Sequence, residues 1–191
     1  MLTHTQDYIA TVSQNFQKLG TLSAKIDQAA ALCIASLRNG GKLLFCGNGG
    51  SAADSQHLAA ELMGRFLIDR NPLPALALTV DTSALTAIGN DYGYDEVFAR
   101  QLRGIGRTGD ILVGLSTSGT SKNVVKAFAA ANEMGIKCIA FTGEKSSPMS
   151  KAAEVALNVP SAATNHIQEM HIVIGHIMCG IIEADLCSAK P

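Results

Sequence analysis

Two apolar runs that end in small, flexible residues and then turn helical set the frame for this chain. The first is Lys42-Leu43-Leu44-Phe45-Cys46, followed by Gly47-Asn48-Gly49-Gly50-Ser51. The second is Asp110-Ile111-Leu112-Val113-Gly114-Leu115, followed by Ser116-Thr117-Ser118-Gly119-Thr120-Ser121. An α/β protein builds an anion site in this way. Glycines let the backbone approach a ligand, and the first free N–H groups of the helix point at it. Hydroxyls at the second junction add donors suited to phosphate-like oxygens. Either junction alone could be an ordinary turn with a helix cap. Two together, at the carboxyl ends of strands, favour a ligand crevice.

The remaining pattern agrees with a parallel sheet. Short apolar runs at Lys42–Cys46, Ala75–Thr79, Asp110–Leu115, Lys137–Phe141 and Val155–Val159 read as strands covered on both faces. Helical stretches separate them at Ala52–Phe66, Thr82–Ile88, Asp95–Ile105 and Ser121–Met134, and a last helix spans Thr164–Leu186. Ahead of the first strand, Tyr8–Leu37 reads as two helices broken near Leu19-Gly20-Thr21. Strand–helix alternation with glycine-containing turns predicts a three-layer α/β/α sandwich around a five-stranded parallel sheet, with an N-terminal helical extension. The expected organisation is a single domain over 1–191: helices in 1–40, an α/β core in 42–160 and a C-terminal helix in 164–187.

Composition narrows the function. The chain has 191 residues, 47% hydrophobic and only 16% charged, with a formal net charge of −1. Bulk electrostatics therefore favours neither nucleic acid nor an anionic membrane. So large an apolar share suggests burial between subunits. Cys33, Cys46, Cys138, Cys179 and Cys187 form no C-x-x-C pair, as expected of free thiols in a reducing compartment. Cys46 reads as a buried strand residue rather than a nucleophile. The N-terminus lacks the pattern of a signal peptide, and no apolar run reaches the length of a membrane span, so the cytoplasm is the expected compartment.

Polar residues on two helices carry the chemistry. After the first loop, Ser51 and Asp54 form an expected N-terminal cap pair. His57 and Glu61 are four apart and share a face, where they can bind a metal or divide acid and base work. The last helix offers Gln168, Glu169, His171 and His176 among apolar residues that could make almost any face apolar. His166 and His171 read as exposed or capped. His176, between Gly175 and Ile177, is harder to place in solvent.

The Gly-Asn-Gly-Gly-Ser loop, His57 with Glu61, Gly64-Arg65-Phe66, Gly89-Asn90-Asp91-Tyr92-Gly93, the Ser116–Ser121 loop and Ile167-Gln168-Glu169-Met170-His171 occur in the order of a known family. Over residues 20–187 the chain resembles the sedoheptulose 7-phosphate isomerases (phosphoheptose isomerases) of the sugar-isomerase (SIS) superfamily, which has a flavodoxin-like fold. The resemblance implies conversion of sedoheptulose 7-phosphate to D-glycero-D-manno-heptose 7-phosphate. That is the first step toward the ADP- or GDP-heptose of lipopolysaccharide and surface glycans. It also implies a cytoplasmic homotetramer with one zinc ion per subunit, held by His57, Glu61, Gln168 and His176. By the same resemblance Glu61 and His176 are catalytic. Asn48, Gly49, Gly50, Ser51, Glu61, Arg65, Asn90, Asp91 and Gln168 meet the sugar. Ser116, Thr117, Ser118 and Ser121 hold the phosphate.

Two features stand apart from the pattern. Gln168 and His176 are separated by about 12 Å of rise on an ideal helix, too far for one ion without a bend, an altered helix start or a second subunit. Asn165-His166 replaces an acidic–basic pair common in the family, a departure bearing on metal affinity or site closure. The rival expectation is an SIS-fold binding protein that associates with the bacterial replication initiator. Such relatives lack the full acid–base set, whereas both Glu61 and His176 are present here.

Overall fold

The computed structural model describes residues 4–187. Helices α1 (Thr5–Leu19) and α2 (Ser23–Arg38), joined by a single 3₁₀ turn at Gly20–Leu22, precede the sheet. Then follow β1 (Leu43–Gly47), α3 (Gly50–Met63), β2 (Ala75–Ala77), α4 (Thr82–Tyr92), α5 (Val97–Ile105) and β3 (Ile111–Leu115). The chain continues through α6 (Lys122–Glu133), β4 (Lys137–Thr142), α7 (Pro148–Ala152), β5 (Val155–Asn158) and α8 (Thr164–Cys187). The strands lie in the order β2-β1-β3-β4-β5 and every pairing is parallel. The expected α/β/α sandwich with its N-terminal helices is thus the observed one.

Alternation along the strands divides the core. Leu43, Phe45, Ile111, Val113, Ile139 and Phe141 face α2, α3 and α8. Leu44, Cys46, Leu112, Cys138 and Ala140 face α5 and α6. Because β1 sends its chain outward to β2 while β3 continues toward β4 and β5, the strand order reverses between β1 and β3. Gly47 is in register with Leu115, so the two junctions singled out from sequence sit side by side at this switch point.

Several local expectations change. β2 is shorter than Ala75–Thr79 because it is an edge strand, with Leu76 exposed and pairing on one side only. α3 stops at Met63 rather than Phe66. Beyond it, Arg70 donates to the carbonyls of Glu61, Leu62 and Gly64, and Glu183 accepts from the backbone N–H groups of Phe66, Leu67 and Ile68. Side chains thus satisfy the backbone groups that a longer helix would have paired. α7 is an added helix. Pro148 stands in its first turn, and a reciprocal cap joins Ser147 and Ser150.

Contrary to the expectation that nothing in the chain is long and apolar enough to span a membrane, α8 is so by length and composition, and it packs as a core helix. Ile167, Met170, Ile174, Met178 and Ile182 pack into the cluster formed with α2, α3 and the sheet. His166 and His171, expected to be exposed or capped, are both buried. An apolar helix packed on several sides hides whatever polar residues its inner faces carry; here His166 Nδ1 and His171 Nε2 find partners, while His171 Nδ1 has none. The His166 ring lies 5.0 Å from that of Tyr8, and its Nδ1 is 2.9 Å from Glu169 Oε2. Glu169 also accepts from the Tyr8 hydroxyl, so this cluster fastens α1 to the start of α8. His171 Nε2 reaches the Thr142 carbonyl at 3.3 Å, and burial pushes its pKa down to about 4.

Candidate active site

The site is built upward from the end of β1. Gly49 has φ +56°, a conformation in which an L side chain is strained, and it starts α3 without a side-chain cap. The expected Ser51–Asp54 cap pair therefore does not form. Ser51 is buried, its backbone N–H donating to the Asn48 carbonyl, and Ser55 Oγ donates to the Ser51 carbonyl. One Asp54 oxygen is buried with no hydrogen-bond partner. Desolvation raises the carboxyl pKa, opposed by the nearby His57 and His176.

From Gly50, α3 runs alongside α8. The two helices approach closely because Gly175 has no side chain: a Cβ there would stand 2.4 Å from Leu58 Cδ2. The next residue, His176, consequently meets His57. Their Nε2 atoms are 3.4 Å apart, and His57 Nε2 is 2.9 Å from Glu61 Oε1. Donor atoms of His57, Glu61 and His176 all lie within 4.8 Å of one another. Phe66 covers the His176 ring at 5.7 Å between centroids.

This donor set fits a divalent metal. A proton on His57 Nε2 can serve either Glu61 or His176, but not both, whereas a cation accepts a lone pair from each of the three. Two ligands held about 2.0–2.1 Å from one tetrahedral zinc stand roughly 3.4 Å apart, the separation of the two imidazole nitrogens. Gln168 reaches the start of α3. Its amide occupies the space beside Gly50, 2.7 Å from where a Cβ would stand. Gly50 precedes His57 by seven residues, about 10 Å along the helix.

The second junction is a cluster of hydroxyls. Ser116 is buried, and its Oγ lies 2.9 Å from Ser121 Oγ and 3.4 Å from Ser118 Oγ. Gly119 N–H donates to Ser116 Oγ, while the Thr120 N–H and hydroxyl both donate to Ser118 Oγ. Thr117 is partly exposed beside them, and its carbonyl accepts from Gly143 N–H. Closely spaced hydroxyls and a helix start suit the peripheral oxygens of a phosphate. Asn90 and Asp91 are exposed at the end of α4, where the Asn90 amide donates to Asp91. Arg65 is exposed beyond α3.

Residues outside the expected set also shape the site. Asn123 and Tyr94 bond Asn48, and Phe66 covers His176. The Arg70–Glu183 pair holds the segment that carries Phe66. No single spacing in the sequence pairs Asn48 with Asn123, because they are 75 residues apart.

An SIS domain model matches residues 7–143. A phosphoheptose isomerase from Akkermansia muciniphila is 53% identical over 186 residues, covering 97% of this chain and 98% of the relative. One from Rhodospirillum rubrum is 53% identical over 181 residues, covering 95% and 96%. The chain belongs to the phosphoheptose isomerase family. A solved phosphoheptose isomerase from Neisseria gonorrhoeae superposes with a TM-score of 0.89 at 48% identity, covering 94% of this chain and 96% of that one. The His57–Glu61–His176 cluster lies on α3 and α8, and the serine loop follows β3, whose end is in register with that of β1. Cys46, beside the glycine loop, is fully buried, and desolvation raises its thiol pKa, consistent with a packing role.

Proposed function

We propose that the protein interconverts D-sedoheptulose 7-phosphate and D-glycero-D-manno-heptose 7-phosphate, supplying heptose for bacterial lipopolysaccharide or surface glycan. The convergence of His57, Glu61 and His176 carries this reading. It is supported by the neighbouring serine loop, whose hydroxyls suit a phosphate and which follows β3 directly beside the end of β1.

The phosphate sits against Ser116, Thr117, Ser118 and Ser121. The sugar extends past Asn48, Gly49, Gly50 and Ser51, with Arg65, Asn90, Asp91 and Gln168 at its edges. Glu61 takes the proton from carbon 1, beside the carbonyl. The released electron pair forms the carbon 1–carbon 2 double bond, and the carbonyl electrons move to oxygen 2. His176 supplies a proton to oxygen 2 and removes one from oxygen 1. Glu61 returns its proton to carbon 2, giving the aldose with no net change in oxidation state. Zinc held by His57, Glu61 and His176, one ion per subunit, would polarise the substrate oxygens and stabilise the enediolate; a lone pair bound to it does not carry a proton, so ligation and proton transfer by Glu61 and His176 are alternative roles, separated by metal analysis of their variants. Gln168, whose amide packs beside Gly50, would be the fourth ligand.

The protein acts as a single-domain subunit of a homotetramer in the cytoplasm, without nucleic acid or membrane. Support for assembly comes from an apolar groove of about 390 Å³ between the N-terminal helices and α8, lined by Phe16, Leu19, Val173 and the exposed Ile177. The free cysteines suit a reducing compartment. Incubating purified protein with sedoheptulose 7-phosphate and following heptose 7-phosphate tests the function. Absence of turnover in zinc-loaded protein would return the binding-protein reading. Monomers by light scattering at micromolar concentration would refute the tetramer.

A further inference from the structure

Three loops that approach the crevice from different parts of the chain meet at one amide. Asn48, at the end of β1, donates from Nδ2 to Asn123 Oδ1 at 2.9 Å, and Asn123 Nδ2 donates back to Asn48 Oδ1 at 2.8 Å. The same Asn48 oxygen accepts from the Tyr94 hydroxyl at 3.2 Å. Asn123 is buried in the first turn of α6, directly after the serine loop, and its Oδ1 also accepts from the Val124 N–H. Tyr94 is exposed and follows the Asn90–Asp91 segment.

The arrangement leaves little freedom. A reciprocal amide pair fixes the two flip states relative to each other, because reversing one would set oxygen against oxygen and N–H against N–H, and the Val124 N–H on Asn123 Oδ1 selects which joint state is adopted. Asn48 Oδ1 has both lone-pair directions occupied, so Asn48 cannot accept a hydrogen bond from a ligand. One of its Nδ2 hydrogens is committed to Asn123. The other remains, so the side chain offers a ligand a single donor.

We infer that Asn123, assisted by Tyr94, is a positioning residue for the isomerisation: it aims the Asn48 amide at the sugar and fixes the glycine loop relative to the serine loop. This rests on the reading above in which Asn48 meets the sugar. A buried asparagine that merely stabilised α6 would act independently of Asn48. A positioning residue acts through it.

A double-mutant cycle separates the two. Asn123→Ala should lower kcat/KM for sedoheptulose 7-phosphate about tenfold, and Tyr94→Phe about threefold. In an Asn48→Ala background each should cost less than about twofold, because the group they orient is gone. Inhibition by inorganic phosphate should stay within about twofold of wild type in both single variants, since the serine hydroxyls are untouched. Effects of equal size in both backgrounds, or unchanged kinetics in both single variants, would overturn the inference. If Asn123→Ala does not fold, the conservative, exposed Tyr94→Phe must show the coupling alone, and its absence is decisive. The cycle is also read as affinity for the sugar phosphate by calorimetry. Wild-type protein that binds but does not convert it overturns the proposed activity and leaves the cycle readable. Protein that neither binds nor converts it overturns both.

Discussion

His57 and His176 turn their Nε2 atoms toward each other across 3.4 Å, although 119 residues separate them. Glu61 Oε1 approaches the same His57 nitrogen at 2.9 Å. A single hydrogen on His57 Nε2 cannot serve both neighbours. With a cation, all three lone pairs are used.

Metal content should follow this triad. Chelator-dialysed protein is expected to lose most of its turnover and regain it with zinc. His57→Gln and His176→Gln should lose bound metal by elemental analysis. His166→Gln should keep its metal and instead melt at lower temperature, because it gives up the contacts with Glu169 and Tyr8. Full activity in metal-free wild type would make zinc an incidental occupant.

Glu61→Gln tests the proton shuttle. The amide keeps the size but cannot take the carbon-bound proton, and loss of a positioned base typically lowers the rate about 10²–10⁴-fold. Turnover should fall by that order, with inhibition by inorganic phosphate little changed. Retained zinc with lost turnover marks Glu61 as the base. Joint loss makes ligation its necessary role, and near-normal turnover would sink the mechanism.

The serine loop should respond unequally. Ser116→Ala removes the hydroxyl that contacts Ser121 and accepts from Gly119, so it is expected to be worse than Ser118→Ala or Ser121→Ala. A lost bond to a charged group is worth roughly 1.5–3 kcal/mol, or about ten- to a hundredfold in KM. Steady-state kinetics of the three variants checks the order, and three unchanged KM values would remove the loop from the site.

The Arg70–Glu183 pair predicts a stability effect coupled to the site. Both side chains are almost fully buried, at 3% and 4% exposure. Glu183→Ala removes the charge partner of Arg70, the acceptor of its Nε–H and the acceptor of three backbone N–H groups, a loss of about 3–5 kcal/mol. In a chain of this size the melting temperature should drop by roughly 6–20 °C. Replacing both partners with apolar residues should recover much of it, because no buried charge is then left unpaired. A change of under a degree in Glu183→Ala would contradict the packing described.

His171 gives a pH dependence with a definite sign. Its folded pKa is about 4, below the ordinary histidine value of 6.5, so the unfolded chain binds more protons between these limits. Stability contributed by the neutral imidazole is complete above about pH 6.5 and is lost as the pH falls toward 4, by up to about 3 kcal/mol. Urea midpoints at pH 7.5 and pH 5 should show the loss, and His171→Asn should flatten it. An equal slope in the variant would assign the effect to other groups.

Legibility in the sequence followed the range of the interactions. Both junctions were readable because apolar runs, glycines and hydroxyls are contiguous there. His57 and Glu61 were readable through their spacing on one helix. The catalytic role of His176 and the assignment of individual serines needed the family resemblance. Asn123, Tyr94, Arg70 and Glu183 were not readable as site residues, because their partners come from distant elements. His166 and His171 were misplaced for a different reason: α8 is apolar on so many faces that periodicity could not say which side is inner.

Gly175 gives the site its gauge. Leu58 occupies the volume that any larger residue would claim, so one absent methyl group fixes the spacing of α3 and α8. His57 belongs to one helix and His176 to the other. The calibration of the donor triad therefore resides in a residue that has no donor, carries no charge and touches no ligand, and a mutation there would detune the chemistry without removing a single reactive atom.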